Sequence, residues 1–375
     1  MKKSPGIYIH VPFCEKKCDY CDFYSLPKKG EADFDDYVGN LLREMDLYKD
    51  TMDMGASTVF FGGGTPSLLG TDRLLGIMEK LQPFLNEGAE ITMEGNPESV
   101  LHLDVAALID AGFNRFSMGV QSASDKLLKI MGRIHDKKTA VDAFHHLREG
   151  GAKNINLDFI ASVPSETMED VAASLAMIEA LNPEHVSLYS LIVEPETPFY
   201  RRYGKMMEER EAADRIHVHT YEKGLRDLGY KQYEISNFEK GGHKCAHNLN
   251  YWHLGEYIGL GPGSSGHLCG RRYRNVQNLS AYDEALCEGH APIEEEEVLT
   301  PVDQDNEYTM LGLRLNEGIP FDTILPSGQR FKDVHREAIE KNVNDGLLAI
   351  TNGRVALTNK GRDLANRVEV DFFRL

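Results

Sequence analysis

The first half of this 375-residue chain repeats one pattern, a short apolar strand followed by an amphipathic helix. The strand candidates share β-branched or aromatic residues and Gly, Pro or Asn boundaries. They lie at residues 7–12, 57–62, 90–94, 115–120, 154–160 and 185–191. Parallel strands need crossover connections, and right-handed crossovers wind a sheet into a full or partial barrel. The sequence therefore predicts an α/β fold with a partial (β/α)6 barrel over residues 1–200.

The second half loses this alternation. Residues 208–228 predict a long charged helix, residues 230–270 are rich in aromatics and glycine, and four glutamates at 294–297 mark a solvated boundary. The tail predicts a helix, a hairpin with Asn352-Gly353 as its type I′ turn, and another helix. We therefore expect a connecting region over residues 201–300 and a smaller winged-helix-like domain over residues 301–375.

Composition narrows the choice of partners and compartment. The chain carries 41 Lys and Arg against 59 Asp and Glu, a formal net charge of −18, which argues against nucleic acid as a partner. No signal peptide or transmembrane segment is recognisable, so we expect a cytoplasmic protein, with peripheral membrane contact left open. Thiols stay reduced in that compartment, so the 6 cysteines do not imply disulfides.

Three cysteines stand close together just after the first strand. Cys14, Cys18 and Cys21 form a C-x3-C-x2-C loop, whereas structural zinc sites and ordinary iron–sulfur carriers take four ligands. A cluster held by three cysteines leaves one iron open to a small molecule. The alternatives are buried structural cysteines or zinc. Cys269 and Cys287 are predicted to be buried small hydrophobes.

Polar residues and glycines gather where the predicted strands end. Gly62-Gly63-Gly64-Thr65-Pro66 follows the second strand, where backbone N–H groups can approach a ligand. Active sites of such barrels lie at this rim. The rim also receives Glu94, Gln121, Arg133 and Asp158. Each alone would suggest a turn or surface residue, but together they predict a cradle for a ligand with amine, hydroxyl and carboxylate groups.

These residues carry a family resemblance. The run from Tyr8 to Cys14, Tyr-Ile-His-Val-Pro-Phe-Cys, with the cysteine loop and Gly-Gly-Gly-Thr-Pro, resembles the radical S-adenosylmethionine superfamily. More narrowly, nearly the whole chain is similar to the oxygen-independent coproporphyrinogen III oxidase family. The resemblance implies a [4Fe–4S] cluster on Cys14, Cys18 and Cys21, with S-adenosylmethionine on the open iron. The implied S-adenosylmethionine contacts are Tyr8, Gly63, Gly64, Thr65, Glu94, Gln121, Arg133 and Asp158.

Three features favour the heme-chaperone branch of that family. The decarboxylating oxidases carry a further cysteine two positions after the third, where this chain has Phe23. The oxidases also have an extension before the first strand. In this chain the first strand is expected to start at Ile7, which leaves no room for such an extension. The run from His247 to Trp252, His-Asn-Leu-Asn-Tyr-Trp, resembles the H-N-x-x-Y-W motif of the chaperone branch. The resemblance thus implies a protein that binds heme and transfers it to an acceptor protein.

The residues around that motif leave the heme ligand open. Heme needs an apolar slot, an aromatic wall and an axial ligand, and His247 is the first candidate, with Cys245 and His253 as alternatives. In the structural alternative, His247 and Asn248 hydrogen-bond a loop while Trp252 fills the core. A radical S-adenosylmethionine enzyme that decarboxylates coproporphyrinogen III is the second functional hypothesis, and a simple cluster carrier is a third.

Overall fold

One mixed sheet runs through most of the molecule. The computed structural model describes residues 4–28, 30–208 and 211–374. The strands of the sheet are β1 (Gly6–Val11), β2 (Ala56–Gly63), β3 (Leu85–Gly95), β4 (Arg115–Gln121), β5 (Ile155–Ala161), β6 (His185–Ser190), β7 (Lys231–Gln232), β8 (Asn237–Glu239), β9 (Tyr257–Leu260), β10 (Ser265–Leu268), β11 (Arg271–Asn275) and β12 (Ile293–Val298). Their order across the sheet is β12-β11-β10-β9-β1-β2-β3-β4-β5-β6-β8-β7.

The six predicted strands are confirmed, and they lie side by side in chain order. β1 to β6 pair in parallel, each with the next. The sheet is curved, because one segment on its concave side reaches strands far apart. The backbone N–H of Cys245 donates to Tyr233, whose hydroxyl bonds His185 of β6, while the neighbouring His247 bonds Thr58 of β2. The result is the predicted partial barrel.

The helices of the first half connect the strands and cover the convex face of the sheet, whereas most of the later helices belong to the tail. They are α1 (Glu31–Leu47), α2 (Lys49–Met52), α3 (Thr71–Leu81), α4 (Pro97–Val100), α5 (Val105–Asp110), α6 (Asp125–Ile130), α7 (Lys137–Glu149), α8 (Met168–Leu181), α9 (Pro198–Glu208), α10 (Glu211–Asp227), α11 (Ala246–Trp252), α12 (Leu279–Cys287), α13 (Pro301–Leu313), α14 (Phe331–Val334), α15 (Arg336–Asn344), α16 (Asn359–Arg362) and α17 (Ala365–Phe372). Short 3-10 helices span Pro66–Leu69 and Gln82–Phe84. The single helix predicted over 208–228 includes residues 209 and 210, which lie outside the described residues.

Side chains alternate along the barrel strands, as the pleat requires. Ile7 and Ile9 of β1 and Val59 and Phe61 of β2 belong to the main core between sheet and helices. The intervening positions face the concave side and are mostly polar. They include Thr58, Glu90, Thr92, Glu94, Arg115, Ser117, Asn156, Asp158, His185 and Ser187. A polar concave face of this kind positions side chains for a ligand rather than for packing.

A seventh parallel strand comes from the second half of the chain and was not predicted. β9 pairs in parallel with the free edge of β1, with Ile258 opposite Ile7. It then turns into the antiparallel strand β10. Gly259 permits this, because a Cβ at that position would lie 2.0 Å from the carbonyl oxygen of Ser265. Gly259 interrupts the apolar pattern by which a strand is predicted, and the same residue permits the close approach of β10.

The tail has a hydrophobic core of its own, built on a three-stranded sheet. Its strands are β13 (Ile319–Pro320), β14 (Leu348–Thr351) and β15 (Arg354–Leu357), in the order β13-β15-β14. The hairpin is confirmed, and Asn352 and Gly353 have φ of 51° and 72°, as a type I′ turn requires. Leu313, Phe331 and Val355 lie in the tail core. The winged-helix description and the domain boundaries stay predictions.

Within 4–28, 30–208 and 211–374, no helix is long and apolar enough to cross a membrane.

Candidate metal centre

The three clustered cysteines follow β1 at the carboxyl rim of the barrel. Cys14 ends the short strand Phe13–Cys14, which pairs in parallel with Leu26–Pro27. Cys14 is buried, and Cys18 and Cys21 are half-buried. Burial raises the pKa of Cys14, and it raises that of Cys21 to about 11; the neighbouring charge of Cys18 adds to both shifts. The three sulfurs therefore lie within electrostatic reach of one another, as a common cofactor would require.

Two of the three thiols accept side-chain hydrogen bonds. Thr65 Oγ1 lies 3.6 Å from Cys14 Sγ, and Arg133 Nη1 lies 3.4 Å from Cys18 Sγ. Asn96 connects these two donors, since its Nδ2 donates to Thr65 Oγ1 at 3.0 Å and its Oδ1 accepts from Arg133 Nη2 at 2.6 Å. Asn96 was not predicted from the sequence. Its position directly after β3, in the same rim as Glu94, was the available signal.

The donor set fits an iron–sulfur cluster better than a single ion. In the described part of the chain, no group of three or more His, Cys, Asp or Glu side chains is arranged to hold one metal ion. A cluster is different, because its cysteines bind separate irons and need not meet at one point. Hydrogen-bond donors to the sulfurs and a nearby guanidinium also suit anionic thiolate ligands. The assignment of the cluster to Cys14, Cys18 and Cys21 stays a prediction.

The glycine run brings the backbone close to β1 and keeps the rim open. Gly63 has φ +103°, and the backbone N–H of Gly64 donates to the carbonyl of Val11 at 2.7 Å. A Cβ on Gly62 would lie 3.1 Å from Glu94 Oε2 and 3.0 Å from the ring of Tyr8. Any side chain here would fill the space between Tyr8 and Glu94, so the glycines preserve a cradle.

Two carboxylates lie on the concave face beneath this rim. Burial raises the pKa of Glu94 to about 8, and the charge of Asp158 raises it further. Burial also raises the pKa of Asp158, which accepts hydrogen bonds from Asn156 Nδ2 at 2.8 Å and Ser117 Oγ at 3.3 Å. Carboxyls desolvated in this way gain from a cationic or hydroxyl-bearing ligand, which would favour their ionised forms. Ser117 and Asn156 were not predicted.

The remaining predicted residues lie around the same rim. The Tyr8 hydroxyl lies 3.1 Å from His10 Nδ1. Gln121 ends β4 with φ +66°, and a Cβ on Gly119 would lie 2.8 Å from Gln121 Nε2 and 3.4 Å from Arg133 Nη2. The predicted S-adenosylmethionine residues thus surround one rim, although their contacts with that ligand stay a prediction.

The predicted heme motif lies at the other end of the strands. α11 is held there by Glu90 of β3, whose carboxylate accepts from the backbone N–H of Ala246 at 2.9 Å and of His247 at 3.0 Å. Both ring nitrogens of His247 are hydrogen-bonded, Nδ1 to Thr58 Oγ1 at 2.8 Å and Nε2 to the Tyr251 hydroxyl at 2.7 Å. Burial lowers the pKa of His247 to about 3. A heme iron could bind this imidazole only after one of these bonds opens.

Trp252 at the end of α11 joins the barrel to the tail. The Arg314 guanidinium stacks on the indole at 4.4 Å from the ring centre and donates to the buried carboxylate of Glu234. The same two regions are also joined by Asn316, which donates its Nδ2 to the carbonyl of Gln232 at 2.8 Å.

The amino-acid sequence of the chain is similar to two protein families and to several named relatives. The model for the Radical SAM superfamily matches residues 8–178, and the model for the HemN C-terminal domain matches residues 299–364. A Lactococcus lactis protein named heme chaperone HemW is 34% identical over 98% of this chain and 97% of its own length. The proteins of that name from Bacillus subtilis and Escherichia coli are 33% and 34% identical, over 96% and 98% of this chain and 97% and 98% of their own lengths. The chain belongs to the HemW family.

A solved structure supports the fold of this HemW family member. Escherichia coli coproporphyrinogen III oxidase (HemN), described as a radical SAM enzyme, aligns with a TM-score of 0.80 over 99% of this chain and 90% of that chain. The two are 22% identical, so the match establishes the shared fold alone. The radical SAM superfamily implies a [4Fe–4S] cluster and S-adenosylmethionine, which agrees with the predicted cofactors.

One prediction about the other cysteines was wrong. Cys269 and Cys287 are exposed rather than buried, while Cys245 is fully buried. Cys287 closes α12, where its thiol lies 3.6 Å from the Asp283 carboxylate. Helix and hairpin ends place a cysteine in solvent as readily as in the core, and no apolar pattern around these two residues specified burial.

Proposed function

We propose that this protein is a heme chaperone that binds heme, holds a [4Fe–4S] cluster with S-adenosylmethionine, and passes heme to an acceptor protein. The observation that carries the proposal is the similarity to proteins named heme chaperone HemW along the full length of both chains. Phe23 adds to it, because the oxidases are expected to carry a cysteine at that position. The Phe23 side chain is 71% exposed on the cysteine loop.

In this proposal Cys14, Cys18 and Cys21 hold the cluster, and S-adenosylmethionine lies along the rim beside it. When bound, the cluster would supply an electron to the sulfonium of S-adenosylmethionine. Arg133 is placed to bind a carboxylate, and Glu94 and Asp158 to accept from amine or hydroxyl groups. Tyr8, Gly63, Gly64, Thr65 and Gln121 complete the proposed contacts.

Heme ligation by His247 is the part of the proposal with a definite structural cost. The imidazole must give up Tyr251 or Thr58 before iron can bind, and a buried neutral hydrogen bond contributes about 0.5–1.5 kcal/mol. Removing the Tyr251 hydroxyl relieves that competition while keeping the ring that packs at 4.8 Å from His247. Tyr251→Phe is therefore more informative than His247→Ala, which also disrupts the anchoring of α11.

The test is a heme titration of anaerobically reconstituted protein, followed by visible absorption. We expect wild-type protein to bind heme and Tyr251→Phe to bind it up to about tenfold more tightly, because about 1.4 kcal/mol is tenfold in affinity. Tyr257→Phe is the matched control, since that ring packs on Tyr251 without a bond to His247. Equal affinity and an unchanged spectrum in Tyr251→Phe and His247→Ala would move the ligand to Cys245 or His253.

A second assay separates the chaperone from the oxidase. The same reconstituted protein, supplied with reductant and S-adenosylmethionine, should not convert coproporphyrinogen III. Steady turnover to protoporphyrinogen would overturn the chaperone proposal in favour of a radical S-adenosylmethionine enzyme. Heme transfer to an acceptor protein would be followed as the appearance of the acceptor's own heme spectrum.

We further propose a cytoplasmic location, with a heme-acceptor protein as partner and no nucleic acid. The 6 cysteines do not imply disulfides in a compartment that keeps thiols reduced. The net charge of −18 opposes binding to a phosphate backbone.

A further inference from the structure

We propose that Asn96 is a positioning residue that ties two cluster thiols together and, through them, sets the reduction potential of the cluster. The inference rests on the proposed assignment of Cys14 and Cys18 as cluster ligands. Asn96 stands between the hydrogen-bond donors of these two sulfurs, Thr65 and Arg133. No motif or family resemblance used above assigns it a role.

The orientation of the Asn96 amide follows from its partners. Arg133 has donors and no acceptor, so the atom that receives Nη2 at 2.6 Å must be the amide oxygen. The amide nitrogen then faces Thr65 and donates to its hydroxyl oxygen at 3.0 Å. With that oxygen accepting from Asn96, the Thr65 proton is directed to Cys14 Sγ. The bonds therefore run in one direction, from Arg133 through Asn96 and Thr65 to Cys14.

The same amide also fixes the guanidinium that serves Cys18. Arg133 Nη2 is held by Asn96 Oδ1 and by the carbonyl of Gly119 at 2.7 Å, which leaves Nη1 directed at Cys18 Sγ. Glycine at position 119 leaves room for this arrangement, because a Cβ there would lie 3.1 Å from Asn96 Oδ1 and 3.4 Å from Arg133 Nη2. One side chain thus determines both sulfur contacts.

Hydrogen bonds to the sulfurs stabilise the more negative, reduced cluster and raise its reduction potential. Without the Asn96 amide, Thr65 can rotate away from Cys14, and Arg133 loses the shortest of the contacts that hold its Nη2, leaving Gly119 O at 2.7 Å and His135 Nδ1 at 3.4 Å. We therefore expect Asn96→Leu, which keeps a similar volume, to make the cluster harder to reduce. The expected change in the one-electron equilibrium is about tenfold, which corresponds to about 59 mV.

The experiment is a redox titration of anaerobically reconstituted protein without S-adenosylmethionine, followed by the paramagnetic signal of the reduced cluster. Iron and sulfide content are measured for every variant. Thr65→Val is a second variant, because it removes the Cys14 bond while leaving Asn96 with Arg133. Ser67→Ala is the control, since its hydroxyl lies in the same turn and bonds Ser99 at 2.6 Å. We expect lower potentials in Asn96→Leu and Thr65→Val and the wild-type value in Ser67→Ala.

The possible outcomes separate this inference from the proposed cluster site. Wild-type potentials in both Asn96→Leu and Thr65→Val, at full iron content, would overturn the inference and leave the cluster assignment intact. If Asn96→Leu fails to fold, the potential of Thr65→Val decides alone. Full iron content in Cys14→Ala would instead overturn the cluster assignment. A merely structural role for Asn96 predicts a lower melting temperature with no change in potential in either variant.

Discussion

Glu94 lies at the rim of the barrel, beside the proposed S-adenosylmethionine site. Its ionisation should therefore make the affinity for S-adenosylmethionine depend on pH. Burial raises its pKa to about 8, so near neutral pH the empty site holds much of this carboxyl protonated. A ligand that donates hydrogen bonds to Glu94 favours the ionised form, and its affinity should rise as pH increases through 8. Asp158, whose pKa is raised as well, should add to the same trend.

The measurement compares wild type with Glu94→Gln by equilibrium binding of S-adenosylmethionine between pH 6.5 and 8.5. We expect the variant to bind about tenfold more weakly at pH 8.5, since bonds to charged groups contribute roughly 1.5–3 kcal/mol. The difference should shrink at pH 6.5, because Glu94 is then mostly protonated before the ligand binds and its ionisation opposes binding. Comparing the two proteins cancels the titration of the ligand itself. A constant ratio across the range would contradict an ionised Glu94 in the bound state.

The cysteine loop gives a second prediction at this scale. Replacing Cys14, Cys18 or Cys21 by alanine should abolish the broad visible absorption of the reconstituted cluster. Cys287→Ala is the matched control, because this thiol is exposed and lies on α12, away from the loop. Iron and sulfide analysis measures the result. Full cluster content in a variant lacking all three loop cysteines would show that the assignment is wrong.

The rim residues were predictable because a general rule locates them. Parallel barrels present the ends of their strands at one rim, so Glu94 and Asp158 could be placed together from strand positions alone. The same rule would have placed Asn96 at this rim, directly after β3. The roles of Glu90 and His185 could not be predicted in this way, because their partners lie far away in the sequence. Glu90, for example, caps α11 about 156 residues later. The alternation of polar residues on successive strands was the overlooked signal for a polar concave face.

At the scale of elements, Glu44 connects α1 to the second half of the chain. Its buried carboxylate accepts from the backbone of Gly261 at 2.7 Å, Asn275 Nδ2 at 2.6 Å and the Tyr282 hydroxyl at 2.5 Å. These partners belong to the β9–β10 turn, β11 and α12. Burial raises the pKa of Glu44 to about 7, and the three hydrogen bonds oppose the shift.

This contact predicts a pH dependence of stability. The folded pKa lies above the unfolded value of about 4.3, so the contribution of Glu44 is fully present below that pH and is lost as pH rises through 7. Glu44→Gln should destabilise by about 1–3 kcal/mol at pH 5.5, because its NH2 would face a donor. Urea unfolding should show this difference narrowing by pH 8. A difference that widens with pH would contradict the assigned direction.

Strands and turns could be predicted where the sequence carries a local pattern of apolar residues or a characteristic turn sequence. The strands of the first half and the Asn352-Gly353 hairpin have local signals, and both are confirmed. β9 has only four residues, Tyr-Ile-Gly-Leu, with a glycine among them and no alternation of polar and apolar residues that would mark a strand. Its position beside β1 depends on long-range pairing, which composition and local periodicity do not encode.

At the scale of the whole molecule, the barrel is completed by residues outside the predicted boundary at 200. β9 covers the edge of β1, and α11 closes the amino-terminal end of the strands through His247 and Glu90. A fragment of residues 1–200 would expose the β1 edge and leave Glu90 without the helix that it caps. We expect this fragment to aggregate or to lack cooperative unfolding, whereas the full chain unfolds cooperatively.

Thermal unfolding and light scattering of the two proteins provide the measurement. A fragment of residues 1–275 is the matched control, because it retains α11 and the strands from β9 to β11. A monomeric, cooperatively folded 1–200 fragment would show that the predicted boundary marks an independent domain after all.

The pairing of β1 with β9 also orders events during synthesis. The strand that leads into the cysteine loop is made first, but its second neighbour follows roughly 250 residues later. At about 5–20 residues per second, the ribosome needs roughly 10–50 s to supply it. Throughout that interval the nascent chain carries its three thiols next to an incomplete sheet. If Cys14, Cys18 and Cys21 hold the proposed cluster, we expect its stable loading to occur on the nearly finished chain, with the thiols kept reduced on the ribosome until then.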